Sequence, residues 1–212
     1  LQPDLGFARR LSLSVDYFDI SIQDAIATLG AQTIVNRCAS GATEFCGLIV
    51  RDGANALVSV QNVLLNVNAQ AARGIDIEFN AGFDTGADST LDFRVLATRY
   101  LELSTTDTAG VTDRAGQTGL RPGTTTGMPD WTVNGNVSFE LGRFTAGLNG
   151  TWISGGIWDV LLRGPEDAGY LITAANSVNT NRVDSAFVAA LNLGYEVLDG
   201  VEVFGVIDNL FD

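Results

Sequence analysis

Two pairs of carboxylic acids lie close together in the sequence, Asp16 with Asp19 and Glu166 with Asp167. Two carboxyl groups held at a fixed separation are the acid and the base of a glycoside hydrolase. Carboxylates on a solvated strand face are far more often simply hydrated than catalytic. We therefore predict that the chain has no catalytic residue and that the protein is not an enzyme.

The sequence contains no histidine and two cysteines, Cys38 and Cys46. Histidine is the commonest general base and the commonest zinc ligand, so its absence removes much of that chemistry. Two thiols alone do not complete a zinc site, which leaves either a disulfide or two free thiols. We expect no metal site and no bound cofactor.

Two further motifs carry no chemistry that we can identify. The glycine-rich segment 121–127 lacks the lysine of a phosphate-binding loop, and we predict a flexible loop there. Asn149, Gly150 and Thr151 match a glycosylation sequon, but Asn149 lies within a predicted strand.

The charge of the chain argues against nucleic acid as a partner. The formal net charge is −13, and all 12 basic residues are arginine. A phosphate-binding surface needs a basic patch, and the arginines do not cluster beyond Arg9 and Arg10.

The apolar residues do not form a membrane-spanning helix. Although 46% of the residues are hydrophobic and only 17% are charged, runs such as Val63-Leu64-Leu65 stop after a few residues. A spanning helix needs about 20 apolar residues in succession. Leu1 is not an initiator methionine and no signal peptide follows it, so we expect the numbering to begin inside a longer protein.

Side chains instead alternate with a period of two, which is typical of β-strands with one apolar face. Polar or small residues separate the members of each apolar set. The sets are Ile75, Ile77, Phe79, Ala81 and Phe83; Trp131, Val133, Gly135, Val137, Phe139 and Leu141; Phe144, Ala146, Leu148, Gly150 and Trp152; and Phe187, Ala189, Leu191, Leu193 and Tyr195.

Strands of a soluble β-sandwich would also alternate, but two features favour a transmembrane barrel. The first is that aromatic residues recur eight positions apart on the apolar face. Eight residues at about 3.3 Å each, tilted by about 40°, span roughly 20 Å, close to the apolar band of about 25 Å in outer-membrane barrels. The aromatic pairs are Trp131 and Phe139, Phe144 and Trp152, and Phe187 and Tyr195.

The second feature is that the connections alternate in length, with short turns near 84–89, 142–143 and 198–200 and long polar stretches at 25–72, 105–128 and 159–181. Short turns on one side and long loops on the other are typical of outer-membrane barrels. We therefore predict an all-β fold, an antiparallel transmembrane β-barrel.

Seven spanning strands follow from this pattern, near 11–24, 73–83, 90–104, 129–141, 144–157, 183–196 and 201–211. The stretch 57–67 is also strand-like; we assign it to a hairpin in the loop or to an extension of the next strand. Single-chain bacterial barrels close with an even number of strands. Seven strands would therefore be part of a barrel whose edges pair with sequence outside this chain.

The polar faces of these strands would line the lumen of the barrel. Their side chains could touch a passing ligand, but hydrogen bonds to one another or to water would account for them equally well, so ligand-binding residues stay unknown. Arg73 and Arg99 lie near strand ends, where a charge is tolerated best. The predicted lumen-facing residues are Asp76, Glu78, Asp92, Arg94, Asn134, Asn136, Glu140, Asn149 and Asn192.

Five short motifs, in order along the chain, resemble the TonB-dependent outer-membrane receptor family. Each motif alone is weak, but five at appropriate spacing over nearly the whole chain make a strong resemblance. The motifs are Val15-Asp16-Tyr17-Phe18-Asp19-Ile20; Cys38 and Phe45-Cys46 followed by Arg51-Asp52; Arg73-Gly74-Ile75-Asp76-Ile77; Pro129-Asp130-Trp131 with Asn134; and Val206-Ile207-Asp208-Asn209-Leu210-Phe211-Asp212.

The resemblance implies a barrel of about 22 strands that is filled by an N-terminal plug domain. Residues 1–212 would supply the C-terminal portion of that barrel, about its fifteenth to twenty-first strand, while the plug, the TonB box and the last strand would lie outside this chain. Cys38 and Cys46 would form the loop disulfide found in one branch of the family.

The resemblance also implies a function, active transport across the outer membrane of a Gram-negative bacterium. The cargo would be a scarce nutrient such as a ferric siderophore, cobalamin or an oligosaccharide. Partners would be the TonB–ExbB–ExbD energising complex acting through the plug, outer-membrane lipid and lipopolysaccharide, and the small nutrient, but no nucleic acid. A passive porin-like channel is the alternative. An adhesin or outer-membrane enzyme would need a constellation that the sequence lacks.

Overall fold

Antiparallel β-strands make up most of the computed structural model, which describes residues 8–107, 110–119 and 126–211. The alternating segments become strands because a strand directs successive side chains to opposite faces, so a period of two gives one apolar and one polar face. Most of the glycine-rich segment, residues 121–125, lies outside the described residues, as does residue 212.

The described residues form twelve strands and one α-helix, with a short 3-10 helix at Thr43–Leu48. No α-helix in this part of the chain has the length and apolar character that crossing a membrane requires. In chain order the elements are β1 (Arg10–Ala27), α1 (Ala31–Ala39), β2 (Ile49–Arg51), β3 (Leu57–Val60), β4 (Leu65–Gly86), β5 (Ser89–Asp107), β6 (Gly110–Asp113), β7 (Trp131–Leu141), β8 (Phe144–Ile153), β9 (Gly156–Ile157), β10 (Arg182–Val183), β11 (Ala186–Leu198) and β12 (Val201–Ile207).

Seven long strands pair side by side in the order β1-β4-β5-β7-β8-β11-β12, and every pair is antiparallel. The seven strands predicted from the alternation are therefore confirmed. β6 pairs with the end of β5, whereas β2 with β3 and β9 with β10 form separate two-stranded sheets. β1 and β12 are the two edges of this open sheet.

Several strand ends differ from the prediction. β1 and β4 stay paired as far as Ala27 and Leu65, and β5 continues to Asp107, because the hydrogen-bonded ladder extends beyond the alternating segments. The predicted ends at 157 and 183 fall in the separate β9–β10 pair. β12 ends at Ile207 instead of 211, where the chain turns.

Both predictions for the stretch 57–67 are confirmed, each for a part of it. Its first part is β3, which forms a hairpin with β2. Its last part begins β4, the next strand of the large sheet.

Short and long connections lie at opposite ends of the sheet. The turn end carries the connections 87–88, 142–143 and 199–200, and the loop end carries 28–64, 108–130 and 154–185. Gly142 has a φ of 55°, a left-handed conformation that glycine adopts without a steric penalty and that two-residue hairpins favour.

The register of the strands separates the two faces of the sheet as predicted. Trp131 lies opposite Arg99, and Asn134 lies opposite Leu96. Because Trp131 and Asn134 are three positions apart on one strand, their side chains are on opposite faces of the sheet. We call the face with Trp131 the apolar face and the face with Asn134 the polar wall. The polar wall contains all nine predicted lumen-facing residues.

Six aromatic residues form two rows on the apolar face. Trp152 lies directly opposite Phe187 near the loop end, and Phe144 lies directly opposite Tyr195 near the turn end. Trp131 lies at the loop end of β7 and Phe139 near its turn end, on the same face. The 11 residues of β7 rise about 25 Å when tilted, which matches the apolar band of an outer-membrane barrel.

The polarity of the two faces reverses beyond the row of Trp131. The register of β4 against β5 shifts between Arg73 and Gly74, so that Arg73 lies opposite both Asp19 and Glu102. These three charged residues lie on the same side of the sheet as the apolar face. Ile20 and Leu103, both opposite Ala72, lie on the same side as the polar wall. The apolar face therefore ends at the level of Trp131 and Arg99.

Within residues 8–107, 110–119 and 126–211, no second layer packs against the sheet. Large side chains on its apolar face are exposed, for example Leu13 at 67% and Phe187 at 53%. The one buried hydrophobic cluster, among the residues that the structure describes, consists of Leu29, Ile34 and Phe45 in the 28–64 connection. An exposed apolar surface of this extent requires another apolar phase, which a lipid bilayer supplies.

Candidate functional site

On the polar wall, eight of the nine predicted residues, all but Glu140, form hydrogen bonds with other side chains. Arg94 donates to Glu78 at 3.2 Å, and the same Glu78 oxygen accepts the Asn80 amide at 3.0 Å. Closer to the loop end, the Thr98 hydroxyl donates to Asp76 at 2.6 Å. These carboxylates are thus satisfied by their neighbours, as expected without any ligand.

Three asparagine amides continue the polar wall across β7, β8 and β11. Asn136 donates to the Asn149 oxygen at 2.8 Å, and Asn149 donates to Asn192 at 3.4 Å. Beside them the Thr151 hydroxyl donates to Asn134 at 2.9 Å. An open cavity of about 340 Å³ follows this row. Each amide has more donor and acceptor positions than these contacts use, so the row can also bind a polar ligand.

A cationic group lies on the polar wall nearer the turn end. Arg9 and Arg10 both reach Asp92, with N–O distances of 2.6 Å and 3.4 Å. A cavity of about 620 Å³ adjoins them and extends to Arg94 and Asn136. The sequence showed the arginine pair, but only the register places it beside Asp92.

Two connections at the loop end interlock, and we call residues 114–119 and 154–182 together the loop cluster. Ile157 donates its backbone N–H to Gly116 at 3.0 Å and accepts the Thr118 N–H at 3.0 Å. A side chain on Gly156 would collide with the Gly116 carbonyl, so only glycine allows this approach. The two connections therefore form one folded unit.

Three buried polar side chains hold the loop cluster together, Gln117, Asp159 and Asn181, each at most 2% exposed. Asn181 donates to the carbonyls of Asp159 and Leu162 at 3.2 Å and 3.1 Å and accepts the Asp159 N–H at 3.2 Å. Gln117 accepts the Val160 N–H at 3.2 Å. Sequence reasoning missed these residues, because polar residues in a loop show no period.

The connection 28–64 joins the same end of the sheet. Cys38 and Cys46 form a disulfide in it, with an S–S distance of 2.10 Å. Arg37 stacks over Phe45 at 5.9 Å and donates to the Thr112 hydroxyl at 3.1 Å. The disulfide loop therefore contacts β6, next to the loop cluster.

The two acid pairs noted in the sequence have different surroundings: the members of the first are on opposite faces of a strand, and both members of the second form ion pairs with one arginine. Asp16 lies on the polar wall opposite Asp76, whereas Asp19 lies on the other face and bonds to Arg73 at 3.1 Å. Glu166 and Asp167 lie 3.2 Å and 3.7 Å from Arg182.

The Gly164 N–H donates a hydrogen bond to the Asp167 carboxylate at 2.8 Å. This bond is the main reason that the pKa of the Asp167 carboxyl is below its ordinary value of 3.8. A carboxyl with a lowered pKa is ionised at neutral pH and is unsuited to act as a general acid. In the described part of the chain, moreover, no three His, Cys, Asp or Glu residues form a group that could hold a metal ion.

Comparison with known proteins agrees with this architecture. The family model described as TonB dependent receptor-like, beta-barrel matches residues 4–210. No curated protein matches the chain.

Two solved structures have a similar fold. The siderophore receptor PirA from Acinetobacter baumannii is 16% identical with a TM-score of 0.52, over 95% of this chain and 26% of that one. The FrpB iron transporter from Neisseria meningitidis (F5-1 variant, apoprotein form) is 12% identical with a TM-score of 0.51, over 99% of this chain and 25% of that one. This chain therefore spans about a quarter of those proteins. It belongs to the TonB-dependent receptor family and corresponds to part of the family's β-barrel.

Proposed function

We propose that the parent protein is an active transporter of the outer membrane of a Gram-negative bacterium. The observation that carries the proposal is the family match over residues 4–210, which coincides with a one-layered sheet that has an apolar face and a polar wall. In this proposal the loop end lies outside the cell, the turn end lies in the periplasm and the polar wall faces the lumen.

The rest of the machinery would come from outside this chain. A plug domain elsewhere in the parent protein would fill the barrel, and the TonB–ExbB–ExbD complex would work on that plug. The outer membrane has no ATP and no ion gradient of its own, so the work has to come from a partner that spans the periplasm. The net charge of −13 supports the absence of nucleic acid among the partners.

The loop cluster and the polar wall would act in succession on the cargo. The loop cluster is rigidified by buried Asn181 and Gln117, which suits it to capture a ligand with little loss of conformational entropy. The amides of half-buried Asn136 and exposed Asn149 would then offer weak, exchangeable hydrogen bonds along the lumen.

A ferric siderophore is the first cargo to test, ahead of cobalamin or an oligosaccharide. The two similar structures are named as a siderophore receptor and an iron transporter, although at 16% and 12% identity they share only the fold with this chain. Expression of the gene under iron limitation, compared with carbon limitation, would narrow the choice before any binding assay.

The deciding experiment measures binding and uptake of a labelled ligand in whole cells, with and without a protonophore. Binding should survive collapse of the proton-motive force, because capture needs only the loops and the plug surface. Uptake should stop, because release into the periplasm requires work on the plug. Uptake that is unchanged by the protonophore would contradict active transport and support the passive porin-like channel.

A further inference from the structure

Arg99 is a cation on the apolar face of the sheet. It lies on β5 directly opposite Trp131 on β7 and Ile75 on β4, in the last row before the polarity of the faces reverses. Both neighbouring strands are present, so no further strand of a barrel can cover this position. The Arg99 side chain is exposed, on the face that would meet lipid.

The Arg99 guanidinium stacks over the Trp131 ring, with its carbon atom 5.4 Å from the ring centroid. Stacking on an aromatic face stabilises the cation by its attraction to the ring electrons. It leaves the N–H donors, which point along the guanidinium plane, available to an acceptor beyond the ring.

Arg99 differs from the neighbouring strand arginines in its partners. Arg73 is held between Asp19 and Glu102 at 3.1 Å and 2.7 Å, and Arg94 on the polar wall reaches Glu78 at 3.2 Å. Among the residues that the structure describes, no carboxylate lies within ion-pairing distance of Arg99.

A cation without a counter-ion costs least at the boundary of the apolar band, where an anionic lipid head group can neutralise it. If the loop end lies outside the cell, as proposed above, that boundary belongs to the outer leaflet. The abundant anions there are the phosphates of lipopolysaccharide.

We propose that Arg99, stacked on Trp131, binds a phosphate group of an outer-leaflet lipopolysaccharide molecule whose acyl chains lie along the apolar face. The site rests on the proposed orientation of the barrel but not on transport. The tryptophan holds the guanidinium at the head-group level, and the guanidinium donates to the phosphate oxygens in the fork geometry that arginine offers.

The test compares lipopolysaccharide binding by the full-length parent protein and its variants in detergent, by native mass spectrometry. The probes are phosphorylated lipopolysaccharide, the same lipid after removal of its phosphates, phosphatidylglycerol and inorganic phosphate. Arg99→Gln should weaken binding of the phosphorylated lipid about five-fold, the contribution of one cation near an anionic surface. Arg99→Lys should keep most of the binding, and all variants should keep the heat-modifiable gel migration of a folded barrel.

Arg94→Gln is the matched control, because Arg94 lies on the same strand but on the opposite face. Its binding of lipopolysaccharide should equal that of the unmodified protein. The proposal is overturned if Arg99→Gln binds as tightly as the unmodified protein, if Arg94→Gln is weakened to the same extent, or if removal of the phosphates has no effect. Competition by phosphatidylglycerol at equal strength, or by inorganic phosphate, would also overturn it in favour of a different anion. Protonophore-sensitive uptake is measured separately, so either proposal can fail alone.

Discussion

At the scale of single residues, the environment of each charge decides its role. Asp16 and Asp19 are three positions apart in the sequence and lie on opposite faces of β1, while Glu166 and Asp167 share Arg182. The carboxylates of the polar wall, such as Glu78, are bound by neighbouring side chains. Each of these groups is accounted for by structure or solvation.

A pH dependence follows from Asp167, which lies in the loop cluster. Because its pKa in the folded loop is below the ordinary 3.8, the carboxylate stabilises the loop above pH 3.8 and loses that contribution as the pH falls through the lowered pKa. The hydrogen-exchange protection factor of the Gly164 amide, which corrects for the intrinsic pH dependence of exchange, should therefore fall on acidification more than those of amides in β8.

Asp167→Asn is the matched variant, because it keeps the shape but does not titrate in this range. It should show weaker protection of Gly164 at neutral pH and little further change in acid. Equal acid sensitivity in both proteins would show that Asp167 is not the titrating group.

At the scale of elements, the disulfide loop and the sheet are stabilised independently. The Cys38–Cys46 bond closes a loop with a sequence separation of 8, and Cys38 packs against the small cluster of Leu29, Ile34 and Phe45. The strands instead satisfy their backbone groups through their ladder of hydrogen bonds. Loss of one should leave the other intact.

Replacing both cysteines by serine should destabilise the disulfide loop by at most about 2–3 kcal/mol, mainly by freeing the unfolded loop. Proteolysis within residues 28–64 should become faster, while the barrel keeps its heat-modifiable migration. The reduced unmodified protein is the control and should behave like the double variant. Loss of the folded barrel in the double variant would contradict this independence.

The two faces of β11 give a matched pair of substitutions at adjacent positions. Leu191 lies on the apolar face and Asn192 on the polar wall, near the middle of the strand. Leu191→Arg should destabilise the membrane-inserted barrel by about 2–4 kcal/mol, because the charge would lie in the middle of the apolar band. Asn192→Arg should have little effect, because its side chain would be hydrated.

The measurement for this pair is the fraction of protein that assembles into lipid vesicles at increasing urea concentration. A soluble sandwich would not assemble into lipid vesicles with either residue at these positions, because its apolar face would be buried in a protein core. Equal effects of the two substitutions would contradict the assignment of the faces.

At the scale of the whole molecule, the loop end carries the irregular structure, and it acts as a unit. Arg37 joins the disulfide loop to Thr112, and Ile157 joins the two parts of the loop cluster through Gly116. In the part of the chain that the structure describes, the turn end has only two-residue connections. This asymmetry fits a molecule that meets its ligand from one side.

Deletion of residues 105–127 should weaken ligand binding while the barrel stays inserted, because strands and not loops satisfy the backbone in the membrane. The structure adds a second expectation. Without Gly116 and Gln117 as partners, residues 154–182 should lose protection and be cleaved faster by protease. The smaller change Gly156→Leu should produce the same cleavage with the loop still present, since it blocks the approach to Gly116.

Ligand binding that is unchanged in both of these variants would show that the loop cluster is not part of the capture site. Loss of the inserted barrel in the deletion variant would instead show that the end of β5, which the deletion shortens, is needed for assembly. A deletion limited to residues 110–119 separates these outcomes, because it spares β5.

The strands and their faces can be read from the local pattern of the sequence. The period of two is a local property, since each side chain points opposite to its neighbour along the strand, so Trp131 and Asn134 could be assigned to opposite faces without a partner strand. The short turns and long connections were equally visible, because glycine and polar residues interrupt the alternation. From these features the number and order of the seven strands followed.

The contacts between residues at the loop end, in contrast, depend on the three-dimensional fold. Gln117, Asp159 and Asn181 lie in irregular segments, where no period relates one side chain to another, and their contacts depend on how two distant connections close. The register shift beside Arg73 places Glu102 on the side of the apolar face and Leu103 on the side of the polar wall, and nothing in the local pattern of β5 marks it. The pairing of Arg99 with Trp131 follows from the alignment of β5 with β7, which is set by backbone hydrogen bonds between strands that are far apart in sequence.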